Sequence, residues 1–226
     1  MARFNHMKIG PIEIPQLCRL APMAAISNAA FRLVAKECGS GLTTTEEIDA
    51  FALLMDTPRA GDMTAYYPQE RPLAMQLLGR DPQALIRAAY RCEELGADIV
   101  DLNMGCPMPK ITGKGKGAAL MRDVPATARL LRAMRQSITV PFTIKIRGGW
   151  DDEHLNAVEV ARMAESEGVD AITVHPRTRS SASRARPRGR SSPRWSTPCA
   201  SPSPATATWT PRPPRGAWWR RRAASR

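Results

Sequence analysis

At 226 residues the chain is long enough for one sizeable core, and a single α/β barrel fits within about 200 to 250 residues. The sequence has no apolar run near the roughly 18 residues that span a bilayer and no secretory leader pattern, and its five cysteines form no CxxC pair, so membrane proteins, disulfide scaffolds and zinc sites are all disfavoured. The net charge of +12 is unevenly placed: residues 1–175 hold 20 of the 33 Lys and Arg against all 21 acidic residues, a net of −1, while residues 176–226 hold 13 arginines and no acid.

Taken in chain order, the pattern alternates short apolar strands with amphipathic helices. Leu17–Met23 reads as a first strand and Phe31–Cys38 as a helix stopped by Gly39. Leu42–Thr45 reads as a second strand and Leu73–Leu78 as a third, followed by a helix from Pro82 to Leu95 that ends at Gly96. Asp98–Leu102 is a fourth strand, Pro125–Gln136 a helix and Pro141–Ile146 a fifth strand. Leu155–Glu167 is a helix ending at Gly168, and Ala171–His175 a sixth strand. Asp81-Pro82 and Asp123-Val124-Pro125 have the form of helix starts, and the glycines that of C-terminal stops. Near-continuous apolar strands alternating with helices imply a parallel sheet covered on both faces.

Six such units suit either a barrel or a doubly wound sheet, and the polar residues decide. Met23, Glu46, Gln76, Asn103, Lys145 and His175 each stand at or just past the C-terminal end of a different strand, which is how a (β/α)₈ TIM barrel assembles its site. A doubly wound sheet would concentrate its ligand contacts at one switch point after a glycine-rich turn, and Ala21-Pro22-Met23-Ala24 is not such a turn. The expected fold is therefore an incomplete (β/α)₈ barrel over residues 1–179. Residues 180–226 contain no Ile, Leu, Val, Phe or Met and are expected to be a disordered Arg/Pro-rich tail, since they cannot offset about 1–2 kcal/mol of backbone entropy per residue.

The strongest local signal is Asp101-Leu102-Asn103-Met104-Gly105-Cys106-Pro107, which puts a thiol, an amide and a tight turn on the loop leaving the fourth strand. It is continued by Lys110 to Met121, and further runs lie in order around it: Ala21–Ala24, Gly41–Glu46, Gln76–Gly79, Thr143–Trp150 and His175–Arg179. Together these resemble the tRNA-dihydrouridine synthases of the bacterial, FMN-dependent type, over roughly residues 9–179. His175-Pro176 departs from the family's more usual His-Gly.

The resemblance implies an enzyme in which reduced FMN gives hydride to carbon 6 of a tRNA uracil, a cysteine protonates carbon 5, and NADPH reduces the flavin again. It implies Cys106 as the catalytic acid, with Pro22, Met23, Ala24, Gln76, Lys145 and His175 around the flavin. Asn103, Arg147 and Arg177 are implied on the substrate, and no metal. Thiol chemistry agrees, because a thiol of ordinary pKa near 8.5 keeps its proton at neutral pH. Each assignment has a plainer alternative: Lys145 paired with Glu46 or Asp101, Gln76 a satisfied core amide, His175 structural, the arginines paired with carboxylates. Lys110, Lys114 and Lys116 form a basic loop, either solvated or meeting RNA phosphate.

The expected partner is tRNA and the expected setting a cytoplasmic monomer without membrane association. In the family two further strands follow His175 and supply the turns that hold the FMN phosphate. Here they are not legible, and the tail has the composition of GC-rich DNA read out of frame. Shifted decoding of Ala205-Thr206-Ala207-Thr208 permits the family's Gly-Asn-Gly-Asp turn, so the chain is expected to be truncated by a frameshift shortly after Arg179. An inactive truncated product, and an FMN barrel acting on a free pyrimidine in the manner of dihydroorotate dehydrogenase, are the alternatives.

Overall fold

The computed structural model describes residues 7–181 and 207–208. The expected disordered tail, its frameshift and Cys199 fall on residues 180–226, which lie outside the described residues except for 180–181 and 207–208.

The chain opens with a hairpin the sequence reading did not anticipate, β1 (Met7–Ile9) and β2 (Ile12–Ile14), paired antiparallel with Met7 opposite Ile14 and Ile9 opposite Ile12. Lys8 and Glu13 face each other on its exposed side at 3.1 Å. On the other side Ile9 and Ile14 are buried against Leu42, Ala74, Ile99 and Ala171, all at the N-terminal ends of the sheet strands. The hairpin thus plugs the bottom of the sheet, opposite the end expected to carry chemistry.

Five parallel strands follow in sequential order: β3 (Thr43–Asp49), β4 (Leu73–Leu78), β5 (Ile99–Met104), β6 (Phe142–Arg147) and β7 (Ala171–His175). A two-residue β8 (Ala207–Thr208) adds a parallel partner to β7, with Ala171 opposite Ala207 and Ile172 opposite Thr208. Sequential parallel order without a reversal is the topology of a barrel wall and not of a doubly wound sheet. The helices are α1 (Ala29–Glu37), α2 (Ala50–Leu54), α3 (Pro58–Thr64), α4 (Pro82–Glu94), α5 (Pro109–Thr112), α6 (Val124–Ser137) and α7 (Ala157–Ser166). None among the described residues is long and apolar enough to cross a membrane.

The helices expected to start at Asp81 and Asp123 do so, while α1 begins at Ala29 and α7 at Ala157, two residues from the expected Phe31 and Leu155. Asn28, Asp81 and Asp123 accept hydrogen bonds from the backbone N–H groups of Phe31, Ala84 and Ala126 respectively, supplying partners to otherwise unpaired first-turn donors. Alternation along the strands then sorts the side chains. Leu73, Met75, Leu77, Val100, Leu102, Phe142, Ile144 and Ile146 face the helices and pack on Leu85, Ala88, Leu131, Met134 and Val160. Residues of the opposite parity turn to the lumen, where a cavity of about 390 Å³ is lined by Thr44, Ala74, Asp101, Thr143, Lys145 and Thr173, among others.

Two expectations are corrected. Leu17–Met23 is not a regular strand: it runs beside the start of β3 and joins it through two backbone bonds, Gly41 N–H to Cys18 O at 2.8 Å and Leu20 N–H to Leu42 O at 3.0 Å, with Leu20 N–H also reaching Ser40 Oγ at 3.0 Å. Pro22 has no N–H to give a ladder, and the chain lies so close that a Cβ on Gly41 would stand 2.2 Å from Gln16 O. The strand expected over Leu42–Thr45 continues to Asp49, with a register shift between Thr44 and Glu47. Such a bulge re-aims the side chains beyond it.

Candidate active site

Strands β3 to β7 end on one face, and their last inward residues meet there. Asn103 on β5 sits at the centre. Its Oδ1 accepts the backbone N–H groups of Gly105 and Cys106 at 3.0 and 2.9 Å, which folds the Gly-Cys-Pro turn back over the strand end. Its Nδ2 donates to Gln76 Oε1 at 2.9 Å and to Glu47 Oε2 at 3.0 Å. Gln76, fully buried on β4, passes the connection on through Nε2 to Asp101 Oδ2 at 2.7 Å, and Thr143 Oγ1 donates to the other Asp101 oxygen at 2.5 Å. Every buried amide and carboxylate in this layer therefore has a partner, the condition under which a polar network inside a barrel is tolerable.

Cys106 is half-buried above this layer, with its Sγ 4.0 Å from Glu47 Oε1. The turn is clamped from both sides. Arg147 Nε donates to Gly105 O at 2.5 Å and its Nη1 to Thr178 O at 3.3 Å. Across the turn, Ala118 N–H donates to Cys106 O at 3.1 Å, beside Gly117 at φ +61, where any Cβ would lie 2.9 Å from the Cys106 Cβ. Burial pushes the Cys106 thiol above its ordinary pKa and the Glu47 carboxylate adds to this; a Met108 backbone bond and Arg147 oppose it. The thiol is thus the dominant form at neutral pH.

Lys145 on β6 faces the same space, half-buried, with no ion pair or hydrogen bond to the described residues. Burial lowers its pKa, while Asp101, Cys106 and Glu47 nearby hold the proton on. Neither plainer pairing, with Glu46 or Asp101, forms as a direct contact. His175 ends β7 beside Arg147, Lys145 and Arg177; burial first and these cations second push its pKa down to about 4. Its Nδ1 accepts the Arg177 backbone N–H at 3.2 Å, so the neutral ring carries its proton on Nε2. The Arg177 guanidinium makes no ion pair among the described residues. Of the basic loop, Lys116 pairs with Asp49 on β3, and Lys110 lies within electrostatic reach of Glu47.

Pro22, Met23 and Ala24 lie on the opposite wall in a turn organised by Ser27, whose Oγ accepts from Met23 N at 2.9 Å and donates to Met23 O at 3.1 Å. Glu46 Oε2 holds the same turn through Ala25 N–H at 2.5 Å. Cys106, Asn103, Gln76, Lys145, His175 and Arg147 therefore converge, with Arg177 at the rim.

Sequence reasoning missed Glu47 and gave Asp101 only a supporting part. Strict alternation allows just one of Glu46 and Glu47 to face the site, and the bulge after Thr44 is what brings both to the rim. The signal available was the unusual pair of consecutive carboxylates at a strand end. Arg19, whose pKa is lowered by burial and sustained by Asp101, is a third lumen charge that its isolated position in the sequence did not reveal.

The chain is similar to known proteins over most of its length. A family model described as Dihydrouridine synthase (Dus) matches residues 19–189. The chain is 39% identical over 173 residues to tRNA-dihydrouridine synthase B of Pseudomonas aeruginosa, covering 76% of this chain and 52% of that protein. It is 38% identical over 174 residues to a probable tRNA-dihydrouridine synthase of Rickettsia conorii, covering 76% and 53%. The chain thus spans about half the length of the curated relatives it matches. Among solved structures, histamine dehydrogenase from Rhizobium sp. 4-9 superimposes with a TM-score of 0.54 at 15% identity, over 76% of this chain and 36% of that one, a likeness of fold alone. A sequential parallel barrel wall, a Gly-Cys-Pro turn at its C-terminal face and a family match across most of the chain agree, and the chain belongs to the dihydrouridine synthase (Dus) family.

Proposed function

We propose that this chain carries the catalytic face of a flavin-dependent enzyme that reduces uridines in tRNA to 5,6-dihydrouridine, with Cys106 as the proton donor. The observation that carries the reading is a thiol held protonated by burial on a doubly clamped turn, facing a lysine ammonium that has no direct partner among the described residues. The family membership and the names of the relatives supply the substrate class.

The residues suit a flavin. A half-buried, unpaired ammonium at Lys145 is costly unless an electron-rich group meets it, and the pyrimidine edge of FMN is such a group. Lys145, His175 through its Nε2 proton, and the backbone and apolar surface of Pro22, Met23 and Ala24 would hold the ring. Gln76 would complete that layer with the valence left after its bonds to Asn103 and Asp101. When bound, FMN supplies the hydride for carbon 6 and NADPH restores it. Cys106 gives its proton to carbon 5 from the thiol, and the turn fixed by Asn103 and Arg147 sets where that proton points. Asn103 has all four amide positions filled by protein, so a uracil oxygen would share one of its N–H groups with the present acceptor. Arg177, without an ion pair among the described residues, and the free edge of Arg147 would meet phosphate, as a base drawn out of folded RNA requires.

The test is reconstitution with FMN and NADPH on an unmodified tRNA transcript, with dihydrouridine read by nucleoside mass spectrometry. Wild type forms the product, and Cys106→Ala keeps flavin absorbance but loses roughly 10²-fold or more in rate. Undiminished activity in Cys106→Ala would sink the assignment of the acid. Turnover of a free pyrimidine without turnover of tRNA would replace the substrate with that of a dihydroorotate dehydrogenase-like enzyme.

A further inference from the structure

The geometry points to Glu47 as the positioning residue that keeps the Cys106 thiol protonated and aimed, acting through the sulfur and not on the substrate. This rests on Cys106 being the proton donor proposed above. The bulge between Thr44 and Glu47 gives the two consecutive acids separate duties: Glu46 fixes the Ala25 backbone on the far wall, and Glu47 turns over the Cys106 loop. Glu47 reaches Cys106 by two routes. Its Oε1 stands 4.0 Å from Sγ, where a thiol can donate to it. Its Oε2 accepts Asn103 Nδ2 at 3.0 Å, and Asn103 Oδ1 accepts the Cys106 backbone N–H at 2.9 Å. One carboxylate thus bears on both the side chain and, through one amide, the main chain of the same residue.

Charge gives this contact its purpose. Arg147 faces Cys106 and favours the thiolate, which cannot donate a proton. Lys145 is set near both groups, and Lys110 and Glu46 face Glu47 from the neighbouring loop and from its own strand. Burial is the larger force that keeps the proton on the sulfur, while the Met108 backbone bond and Arg147 pull the other way. An anion accepting the thiol's hydrogen bond adds to burial and offsets Arg147, because ionising the sulfur would set two negative charges side by side.

The experiment follows iodoacetamide alkylation of Cys106 against pH by peptide mass spectrometry in wild type, Glu47→Gln and Glu47→Asp. Glutamine keeps the bond from Asn103 but turns an N–H donor toward sulfur, so Cys106 alkylates roughly tenfold faster at neutral pH and its midpoint moves down. Aspartate keeps the charge one methylene further away and falls between the two. In the tRNA assay the loss of rate at high pH begins at lower pH in Glu47→Gln. Buried Cys92, whose thiol burial pushes up to about 12, reports folding in the same digest by staying unmodified. An unchanged Cys106 profile in a folded Glu47→Gln overturns the inference; should that variant unfold, an unchanged profile in Glu47→Asp does so. Absence of dihydrouridine with wild type would instead overturn the functional reading, while the alkylation profile still decides whether Glu47 governs the thiol.

Discussion

His175 stands among three cations, Arg147, Lys145 and Arg177, in a half-buried position, and both conditions disfavour its protonated form. Its pKa falls from the ordinary 6.5 to about 4, with burial the larger cause. The native ring is therefore neutral across the physiological range, with Nδ1 committed to the Arg177 backbone and Nε2–H left to donate. The sign of the linkage follows directly. Between pH 6.5 and about 4 the unfolded chain takes up a proton that the native state refuses, so stability is fully present above about 6.5, declines as pH falls through that window and levels off near 4. The ring C2 proton of His175, assigned by its loss in His175→Gln, should not titrate in NMR spectra until about pH 4. A midpoint near 6.5 would show that neither burial nor the cations hold the ring neutral, and Nδ1 would then cease to accept the Arg177 backbone N–H in mildly acid solution.

At the scale of the element, the feature that orders the site from a distance is a buried ion pair. Arg32 on α1 and Glu70 on the turn before β4 are both fully buried, joined Nε to Oε2 at 2.6 Å. Arg32 also donates to Ser27 O at 2.9 Å and to Ala65 O at 2.7 Å, and Glu70 Oε1 accepts the Tyr67 N–H at 2.8 Å. The pair ties α1 and the end of α3 to the Ser27 turn that presents Met23. Arg32→Ala leaves Glu70 buried and unpaired, so unfolding by urea should show a loss of about 3–5 kcal/mol; a loss below 1 kcal/mol would mean that water replaces the guanidinium. Nothing in the sequence marks Arg32 as buried, because a lone arginine on an amphipathic helix ordinarily lies on the solvated face. The same limit explains the other gaps. Helices α4 and α6 and strands β4 and β7 were legible because their apolar period, proline starts and glycine stops are local properties. The N-terminal hairpin, the bulge in β3 and the irregular run of Leu17–Met23 depend on what packs against them, so periodicity could not supply them. Cys106, Asn103 and Lys145 could be found because strand ends in a barrel converge by topology; Glu47 could not, because its direction depends on one extra residue in one strand.

For the whole molecule, charge separates binding from recognition. Residues 1–175 carry a net charge of −1, while residues 176–226 carry 13 arginines and no acid. A polyanion such as tRNA is attracted to the second region whatever its sequence, through release of counterions, and this attraction falls steeply with salt. Binding of tRNA by the full chain would therefore be weak support for a uridine-reducing site, since the arginines alone would attract any polyanion. We expect the full chain to bind tRNA and heparin about equally, each losing roughly tenfold or more in affinity between 50 and 200 mM salt. A chain ending at Ser181 retains Arg177, Arg179 and the lysines near Cys106 but loses 11 of those 13 arginines, and its salt dependence should become shallow. What remains of tRNA binding in that shorter chain then measures the candidate site itself. If it still prefers tRNA over heparin, the rim built by Arg147 and Arg177 recognises folded RNA. If shortening the chain leaves the salt slope unchanged, the basic region takes no part in binding, and the barrel face, despite its slight net negative charge, must supply the phosphate contacts.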